Sequence, residues 1–576
     1  MHIHKLLPAF LLCATLLRAA DPLLPIRIQG AGGDGPKALL AKAGANSFRT
    51  WDVDGKTSAL LDQAHKLGLK VTLGIWLGHE RHGFDYNDLD QVLKQTEHVR
   101  KAVLAHKDHP ALLAWALGNE MEGPAGENPA IWNHIEALAS LVKRLDPSHP
   151  TLTVIAEIGG RKIEALHKLC PSLDIVGINS YGGIQSLPQR YRKAGGTKPY
   201  IVTEYGPPGT WEVHKNAFGA IPEMTSTQKA AWYGKAFRAL HADPLCLGSY
   251  AFTWGHKQEG TKTWFGMLLP GNRRLGTVDT LQELWTGKPP ANRCPQISQL
   301  KTDAPHKAAP GTRLEVRLAA TDPENDALRT QWILAEESID YETGGDFRAD
   351  PRTFPEAILQ SGPDHATVQL PGNGGIYRLY ALVTDPHGGA ATANLPLFVT
   401  GPRKVLPAPK VELPLVLVGH NKASPPHWFP TGWMGNAGAL ALDEAYAQAP
   451  GSGDTHLRIQ YKAPDKWGGI VWQHPPSDWG DRPGGHNLSG AKRLNFRAKG
   501  ERGGETVTFS LGIIGKDKPH HDSAKAELKT TLTAQWQPYA IDLAGKDLSR
   551  IKSGFCIVFA GQGRPLAVEV DDLRYE

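Results

Sequence analysis

Two glutamates of this 576-residue chain stand where apolar runs of strand length end. The run LLAWALGNE closes on Glu120, directly after Asn119, and the segment PYIVTEYG carries Glu204 near its end. Paired carboxyl groups are the groups that cleave glycosidic bonds: one protonates the leaving oxygen while the other attacks the anomeric carbon or activates water. Such a pair works only if its two environments differ, so that one group stays protonated while its neighbour is ionised.

The elements that would position this pair are eight apolar runs between about residues 25 and 288. Amphipathic helical patterns separate them, and this alternation is typical of parallel strands buried on both faces. Eight such units in about 265 residues match the size of a (β/α)8 barrel. A doubly wound open sheet is the alternative, but no glycine-rich phosphate turn follows the first run. The predicted strands are Ile26–Ile28, Ser47–Trp51, Lys70–Leu77, Leu112–Glu120, Leu152–Glu157, Asp174–Tyr181, Tyr200–Tyr205 and Leu247–Trp254.

In a barrel of this kind the catalytic groups come from the C-terminal ends of the strands. Glu120 ends the fourth predicted strand and Glu204 lies at the end of the seventh. We therefore expect the two carboxyl groups to flank a bond held at the barrel mouth. The structural alternative for each is a solvated loop residue.

Beyond Pro289 and Pro290 the sequence changes to short strands separated by turn signals. We predict a signal peptide at 1–20, a catalytic barrel at 21–290, a β-sandwich at 291–405 and a second β-sandwich at 406–576. The last unit begins with a proline-rich segment, LPAPKVELP.

The first twenty residues have the pattern of a secretory signal. A mildly basic start precedes an apolar run from Leu6 to Leu17, and Ala19 and Ala20 offer small residues for cleavage. We expect a secreted or periplasmic protein; a buried first helix or strand is the alternative. In an exported chain one or two disulfides can form, but the pairing stays open. The four remaining cysteines are Cys170, Cys246, Cys294 and Cys556.

The amino-acid composition limits the classes of molecule that this chain is expected to bind. The 63 basic and 58 acidic residues give a formal charge of +5, which leaves no electrostatic footprint for nucleic acid. Hydrophobic residues make up 41%, which excludes wholesale disorder. The 16 tryptophans are consistent with sugar-binding surfaces, because flat rings stack on pyranose faces. Several residues near strand ends are candidates for sugar subsites, and the sequence does not decide among Trp76, Tyr86, Trp211, His214, His256 and Trp264.

WALGNE and VTEYG, on the fourth and seventh predicted strands, resemble the motifs of retaining glycoside hydrolases with (β/α)8 barrels. The pattern is closest to the barrel domain of glycoside hydrolase family two, and it is also similar to the β-1,3-glucanosyltransferases. The resemblance implies that Glu120 is the acid/base and Glu204 the nucleophile. Family two usually carries β-sandwiches before its barrel, whereas here they follow it.

The same resemblance assigns four binding residues. It implies that Asn119 bonds the sugar 2-hydroxyl and that Arg49, in NSFRTW, keeps Glu204 ionised. Tyr181, in GINSYGG, would bond the nucleophile, and Trp254, in YAFTW, would floor the subsite where cleavage occurs. The structural alternatives are an ion-pair partner for Arg49 and packing aromatics for the other two. No metal is expected at the site.

The two later units also resemble known modules. AATDPENDALRTQWIL and YRLYALVTDPHGGAAT are similar to the immunoglobulin-like spacers of secreted bacterial enzymes. LAVEVDDLRYE resembles the last strand of galactose-binding-like, jelly-roll β-sandwiches, which include many carbohydrate-binding modules. Asp571 and Asp572 in it are either ligands of a structural calcium ion or solvated carboxylates. This unit is either a carbohydrate-binding or a purely structural module, and its tryptophans are Trp428, Trp433, Trp467, Trp472 and Trp479.

The functional prediction is a secreted, retaining glycoside hydrolase that cleaves β-linked polysaccharide or oligosaccharide by double displacement, with no cofactor. A β-glucan transglycosidase and a non-catalytic carbohydrate-binding protein are the alternatives. The sequence leaves open the glycan, its linkage, endo or exo action, and whether water or sugar accepts the glycosyl group. It also leaves the oligomeric state open.

Overall fold

The computed structural model describes residues 23–80, 84–123, 126, 128–337, 341, 350–402, 408–419, 426–446 and 455–576. The predicted signal peptide at 1–20 and the predicted start of the last unit at 406 lie outside these residues.

Eight parallel strands close into a barrel, in sequence order. The barrel closes where the first strand pairs with the eighth, with Ile28 opposite Gly248. The predicted fold class, a (β/α)8 barrel followed by β-sandwich sheets, is confirmed. The barrel strands are β1 (Ile28–Gly32), β2 (Ser47–Arg49), β3 (Lys70–Ile75), β4 (Leu112–Leu117), β5 (Thr151–Ala156), β6 (Ile175–Asn179), β7 (Tyr200–Tyr205) and β8 (Cys246–Phe252).

Helices surround the barrel, and their apolar faces build the larger core cluster between helices and strands. The second longest, α4, begins with a proline after Asn128, whose side chain accepts a hydrogen bond from the Ala130 amide and caps the helix. Among the described residues no helix is both long and apolar enough to cross a membrane. The helices are α1 (Lys37–Lys42), α2 (Thr57–Lys66), α3 (Leu89–His106), α4 (Pro129–Leu145), α5 (Lys162–Leu169), α6 (Leu187–Lys193), α7 (Ser226–His241) and α8 (Gly276–Thr286).

The barrel interior is filled at its N-terminal end by a second cluster that includes Leu113, Leu152, Ile201 and Tyr250. The Tyr250 hydroxyl lies 2.6 Å from the Ser47 hydroxyl, so the polar group in this layer has a partner. Because this end is packed, the open face is the one at the C-terminal ends of the strands.

Two sheets follow the barrel and enclose a third core cluster. The first has the order β14-β17-β18-β10-β9, with β12 also paired to β18, and the second has the order β11-β13-β16-β15. The β9–β10 hairpin lies within the predicted catalytic domain, yet it joins the sheet of the sandwich. The strands are β9 (Leu268–Leu269), β10 (Arg273–Leu275), β11 (Gln296–Thr302), β12 (Lys307–Ala308), β13 (Arg313–Thr321), β14 (Arg329–Glu336), β15 (Ile358–Ser361), β16 (His365–Gln369), β17 (Gly375–Thr384) and β18 (Gly389–Val399).

Two more sheets form the C-terminal sandwich around its own core. Their orders are β21-β22-β29-β24-β27, with β19 paired to β29, and β20-β23-β28-β25-β26. The strands are β19 (Leu415–Val416), β20 (Phe429–Gly435), β21 (Leu440–Tyr446), β22 (His456–Tyr461), β23 (Gly468–Gln473), β24 (Arg493–Gly500), β25 (Thr506–Leu511), β26 (Ala526–Thr531), β27 (Gln537–Asp542), β28 (Ser553–Phe559) and β29 (Leu566–Tyr575).

The cysteines form no disulfide among the described residues. Cys170, Cys246, Cys294 and Cys556 are all free and buried. Burial raises the pKa of the Cys170 thiol to about 12, so this thiol is protonated and inert at neutral pH.

Candidate active site

Glu204 points into the barrel because of an irregularity in β7. Val202 and Tyr205 pack outward, in the larger core cluster between helices and strands, whereas Ile201 lies in the barrel interior. Strict alternation would turn Glu204 outward with Val202. The register with β6 skips Thr203, so one extra residue is accommodated there as a β-bulge. The bulge turns the Glu204 carboxylate toward the mouth.

Three donors surround the Glu204 carboxylate, which is only 7% exposed. Trp51 Nε1 donates to Oε1 at 2.9 Å and Arg49 Nη1 donates to the same oxygen at 3.3 Å. The Tyr181 hydroxyl donates to Oε2 at 2.7 Å. Burial and the charge of Glu204 raise the pKa of Tyr181 well above its usual value, so Tyr181 stays a donor. Both oxygens of this carboxylate therefore accept hydrogen bonds, and one of these bonds is charge-assisted.

Arg49 ties this carboxylate to the rest of the site. It is fully buried at the end of β2, where its guanidinium also donates to the Thr203 carbonyl at 3.0 Å and to Asn119 Oδ1 at 3.1 Å. Burial lowers the pKa of Arg49 and the nearby Glu204 and Glu120 oppose the effect; a guanidinium nevertheless remains charged. Since Asn119 Oδ1 accepts this bond, its amide nitrogen is oriented as a donor for a ligand.

Asn179, the last residue of β6, joins the two halves of the site. Its Nδ2 donates to Glu120 Oε1 at 2.6 Å and its Oδ1 accepts from the Thr203 hydroxyl at 2.7 Å. Arg49 Nη1 approaches the same Oδ1 at 3.3 Å. One amide therefore spans the groups that hold Glu120 and those that hold Glu204.

Glu120 lies three residues beyond the end of β4, in a left-handed backbone conformation with φ of 55°. Its amide donates to the Val154 carbonyl at 2.8 Å, which anchors the turn to β5. A non-glycine residue in this region costs about 1–3 kcal/mol, and such residues concentrate at functional sites. Burial, and then the charge of Glu204, raise the pKa of Glu120 to about 7.

The site thus holds two carboxyl groups in opposite environments at one mouth. Donors and a buried cation surround Glu204, while burial and a neighbouring negative charge favour a protonated Glu120. This is the division between an anion and an acid that bond cleavage by paired carboxyl groups requires.

Five of the six sequence-predicted residues are brought together here: Arg49, Asn119, Glu120, Tyr181 and Glu204. Trp254 is not, and its prediction as the floor of the sugar subsite is corrected. Its side chain has no exposed surface, and its Nε1 donates to the Pro36 carbonyl at 3.1 Å. A fully buried indole has no face to offer a sugar.

Three residues at the site were not predicted. Phe252 ends β8 and packs edge-on against Trp51 and Tyr181, with ring centroids 6.1 Å away in both cases. Trp51 and Asn179 bond the two glutamates. Each lies two positions from a predicted site residue, Arg49 or Tyr181, and residues two apart on a strand share a face. That alternation was the available signal.

No group of three or more His, Cys, Asp or Glu side chains within the described ranges is arranged to hold a metal ion. The two residues considered for calcium, Asp571 and Asp572, lie in β29. The Asp572 amide donates to Asp571 Oδ1 at 2.8 Å.

Residues 38–231 match the family model "Glycosyl hydrolases family 2, TIM barrel domain". The matched range contains both glutamates, and the predicted resemblance to this barrel domain is confirmed. A β-galactosidase of Klebsiella pneumoniae is 29% identical over 169 residues, which are 28% of this chain and 15% of that protein. The β-galactosidase of K. pneumoniae strain 342 is 28% identical over the same length. The match thus spans only a small part of these relatives.

Among solved structures, Bacteroides uniformis β-glucuronidase 2, covalently bound to cyclophellitol-6-carboxylate aziridine, aligns with 95% of this chain and 66% of its own. The identity is 14% and the TM-score 0.37. The β-D-glucuronidase of Dictyoglomus thermophilum aligns with 46% of this chain and 51% of its own, at 18% identity and a TM-score of 0.37. The barrel itself is established by the strand order of this chain.

Proposed function

We propose that this protein, whose residues 38–231 match the TIM barrel domain of the family 2 glycosyl hydrolases, is a retaining hydrolase of β-glycosides. The observation that carries the proposal is the pair of carboxyl groups with opposite environments at the barrel mouth. Glu204 is surrounded by three donors, and Glu120 has a raised pKa.

The first step joins the sugar to the protein. Glu204 attacks the anomeric carbon while the protonated Glu120 gives its proton to the leaving oxygen, so the aglycone departs as an alcohol. As the carboxylate of Glu204 becomes an ester its charge is lost, and the pKa of Glu120 falls because one cause of its elevation is removed.

The second step releases the sugar. Glu120, now ionised, takes a proton from a water molecule, which attacks the anomeric carbon and breaks the ester bond to Glu204. The two displacements restore the original configuration of the sugar and both carboxyl groups. In this proposal Asn119 donates to the 2-hydroxyl, a bond that strengthens in the transition state.

The test is substitution of each glutamate by glutamine, which keeps the shape and removes the charge or acid. Aryl β-galactosides, β-glucuronides, β-glucosides and β-mannosides serve as the panel. We expect Glu204→Gln, which removes the nucleophile, to lose at least about 10³-fold in kcat. In the native protein a fluoro-sugar inactivator should label Glu204. Full activity in either variant would refute the assignment; tight glycan binding without any turnover would favour a non-catalytic binding protein.

We propose further that the substrate is an oligosaccharide or polysaccharide met outside the cytoplasm. Support comes from the signal-like first twenty residues and from the near-neutral charge of the chain. N-terminal sequencing of the exported protein tests the first point. Sizing of the products from purified glycans tests the second and separates hydrolysis from transglycosylation.

The C-terminal sandwich is proposed as a carbohydrate-binding module. Trp428 and Trp472 are buried, but Trp433 is 37% exposed and Trp467 is 52% exposed. The Trp467 ring lies on Gly435, two residues after Trp433 on the edge strand β20, where a Cβ would come within 2.9 Å of its Cδ2. Exposed indoles suit stacking on sugars. Retention of the double variant W433A/W467A in affinity gels with insoluble glycans should fall to the level of a protein that does not bind glycans.

A further inference from the structure

We propose that Trp76 and Trp211, on opposite sides of the barrel mouth, stack on sugar rings either side of the reacting one. The substrate is then a chain of at least three uncharged pyranose units. This inference rests on the proposed function, since it places the reacting sugar between Glu120 and Glu204.

Exposure separates these two tryptophans from the other aromatic candidates. Trp264 and Tyr86 are 3% and 6% exposed, so both are packing residues. Trp76 is 37% exposed and Trp211 is 46% exposed. A sugar can stack only on a ring face that is open to solvent.

Trp211 follows β7 by six residues and is built into the site. Its ring meets Tyr181 edge-on with centroids 5.6 Å apart, and Tyr181 bonds the Glu204 carboxylate. One ring face lies on Gly209, where a Cβ would come within 2.4 Å of Trp211 Cε2. Glycine therefore lets the indole lie flat on the backbone, with the other face outward.

The loop around Trp211 is fixed by the next side chain. Glu212 Oε2 accepts from the Gly209 amide at 2.6 Å and from the Gly182 amide at 2.8 Å. The residue is exposed, so its carboxylate lies beside the ring as an acceptor for sugar hydroxyls. A flat ring with an adjacent carboxylate is suited to a neutral pyranose.

Trp76 directly follows β3 on the other side. Ile75, just before it, pairs with Leu117 of β4, and Glu120 stands three residues beyond that position. The imidazole of His79 stacks on the indole with centroids 4.8 Å apart and planes at 19°. The Trp76 amide donates to Asp52 Oδ1 at 3.0 Å, so a half-exposed carboxylate lies near this ring also.

The separation of β3 and β7 sets the length of the substrate. They are four strands apart in an eight-stranded barrel, hence diametrically opposed. Strands spaced about 4.8 Å and tilted about 36° give a diameter of roughly 15 Å. One pyranose ring is much narrower, so contact with both indoles requires sugars on each side of the central one. Asp52 and Glu212 would repel uronic acids from these two positions.

The experiment compares kcat/KM on an aryl β-monoglycoside with kcat/KM on oligosaccharides of two to six units from a glycan that the protein cleaves. For the native protein, kcat/KM should rise with length up to at least three units. Trp76→Ala and Trp211→Ala should each lower kcat/KM on the longest chain by about tenfold, which is ~1.4 kcal/mol of lost stacking, and flatten the length dependence. Trp211→Phe, which keeps a ring, should recover part of the loss.

Leu104→Ala is the matched control, because Leu104 is 44% exposed and lies in the last turn of α3, which leads to the start of β4 at the end of the barrel opposite the mouth. This variant should leave every rate unchanged. A length dependence that is absent in the native protein, or intact in both alanine variants, would overturn the inference. If the protein hydrolyses no glycoside at all, the proposed function fails on its own. In that case calorimetry is used to measure binding of the same oligosaccharides to the native protein and to the two alanine variants. Weaker binding to both variants supports the two stacking positions, and binding equal to that of the native protein refutes them. Uronic-acid oligosaccharides bound as tightly as neutral ones would overturn the uncharged class.

Discussion

The chemistry of the site depends on a few side chains whose partners differ. Glu120 and Glu204 are of one residue type, but only Glu204 accepts hydrogen bonds from the Arg49 guanidinium and from two neutral donors. Glu120 has the Asn179 amide, burial, and a negative neighbour. In the proposed mechanism the environment, and not the residue type, therefore distinguishes the acid from the nucleophile.

The raised pKa of Glu120 predicts the pH dependence. On an unactivated oligosaccharide, kcat/KM should fall as the pH rises through about 7, because Glu120 loses the proton that the leaving oxygen needs. With a dinitrophenyl glycoside the decline should be weaker, since that leaving group needs no proton. An equal decline for both substrates would contradict the assignment of Glu120 as the acid.

The raised pKa of Glu120 also predicts that the free energy of unfolding depends on pH. The folded pKa exceeds the unfolded value of about 4.3, so its favourable contribution is full below that value and is lost as the pH rises through about 7. Urea unfolding at pH 4.5, 6 and 7.5 measures it. Glu120→Gln has no carboxyl group to titrate, and its unfolding free energy should fall less over this range than that of the native protein.

Substitutions at two tryptophans distinguish a contribution to catalysis from a contribution to packing. Trp51→Phe removes a donor to Glu204 and should lower kcat by about tenfold or more with little change in Tm. Trp254→Phe removes a buried hydrogen bond and leaves a cavity, and should lower the free energy of unfolding by about 1–3 kcal/mol while kcat stays within about twofold. If Trp254→Phe lowered kcat and Trp51→Phe lowered only stability, Trp254 would again be the candidate for the floor of the sugar subsite.

At the scale of elements, backbone irregularities position the reacting groups. The bulge at Thr203 rotates the end of β7, and the left-handed turn at Glu120 redirects the chain after β4. Close approach of β2 and β3 is equally important for Trp51. A Cβ on Gly74 of β3 would lie 2.4 Å from the Thr50 carbonyl oxygen and 2.7 Å from the Trp51 Cα.

Gly74→Ala should therefore push the end of β2 away and separate Trp51 from Glu204. We expect a loss of about 1–3 kcal/mol in unfolding free energy and a fall in kcat at least as large as that of Trp51→Phe. Gly55→Ala, in the loop after β2, is the matched control because a Cβ added at Gly55 would meet nothing within 4 Å, and both quantities should be unchanged. Normal activity in Gly74→Ala would show that the β2 terminus does not position Trp51.

At the scale of the molecule, the first sandwich supports the barrel mouth. Tyr341, from this unit, packs in one cluster with Tyr181 and Phe252. Behind it, Arg378 Nε donates to Glu337 Oε2 at 2.6 Å, with both side chains fully buried. Arg378 Nη2 also donates to the Ile221 carbonyl of the barrel at 2.7 Å.

Arg378→Met should remove this support. It leaves the Glu337 carboxylate buried without its cation, at a cost of about 3–5 kcal/mol, and should lower kcat because the packing under Tyr181 loosens. Arg317→Met in the same sandwich is the control: Arg317 is exposed and lies 3.7 Å from Asp303, so it should change stability by less than about 0.5 kcal/mol. Equal effects of the two substitutions in denaturant unfolding and in turnover would refute the supporting role.

The sequence by itself determined the barrel, the β-rich character of the later units, and the resemblance carried by WALGNE and VTEYG. These depend on local periodicity and on short motifs, which neighbouring residues carry. Each of the eight predicted barrel strands overlaps an observed strand, although the first does so only at Ile28 and six of them end earlier than predicted. Because β4 and β6 end at Leu117 and Asn179, Asn119, Glu120 and Tyr181 lie in the loops beyond. The catalytic and binding roles of the site residues stay predictions.

Only the tertiary structure decided which aromatic rings face solvent and which are buried. Trp254 and Trp211 are the same residue type, so the sequence does not distinguish them. Trp254 is enclosed by the β1–α1 turn, whereas Trp211 lies exposed on Gly209. The sequence also did not predict the bulge that turns Glu204 inward or the contact of Tyr341 with the barrel mouth. Each depends on residues distant in sequence, because strand register and burial are set by the partners that the fold brings together.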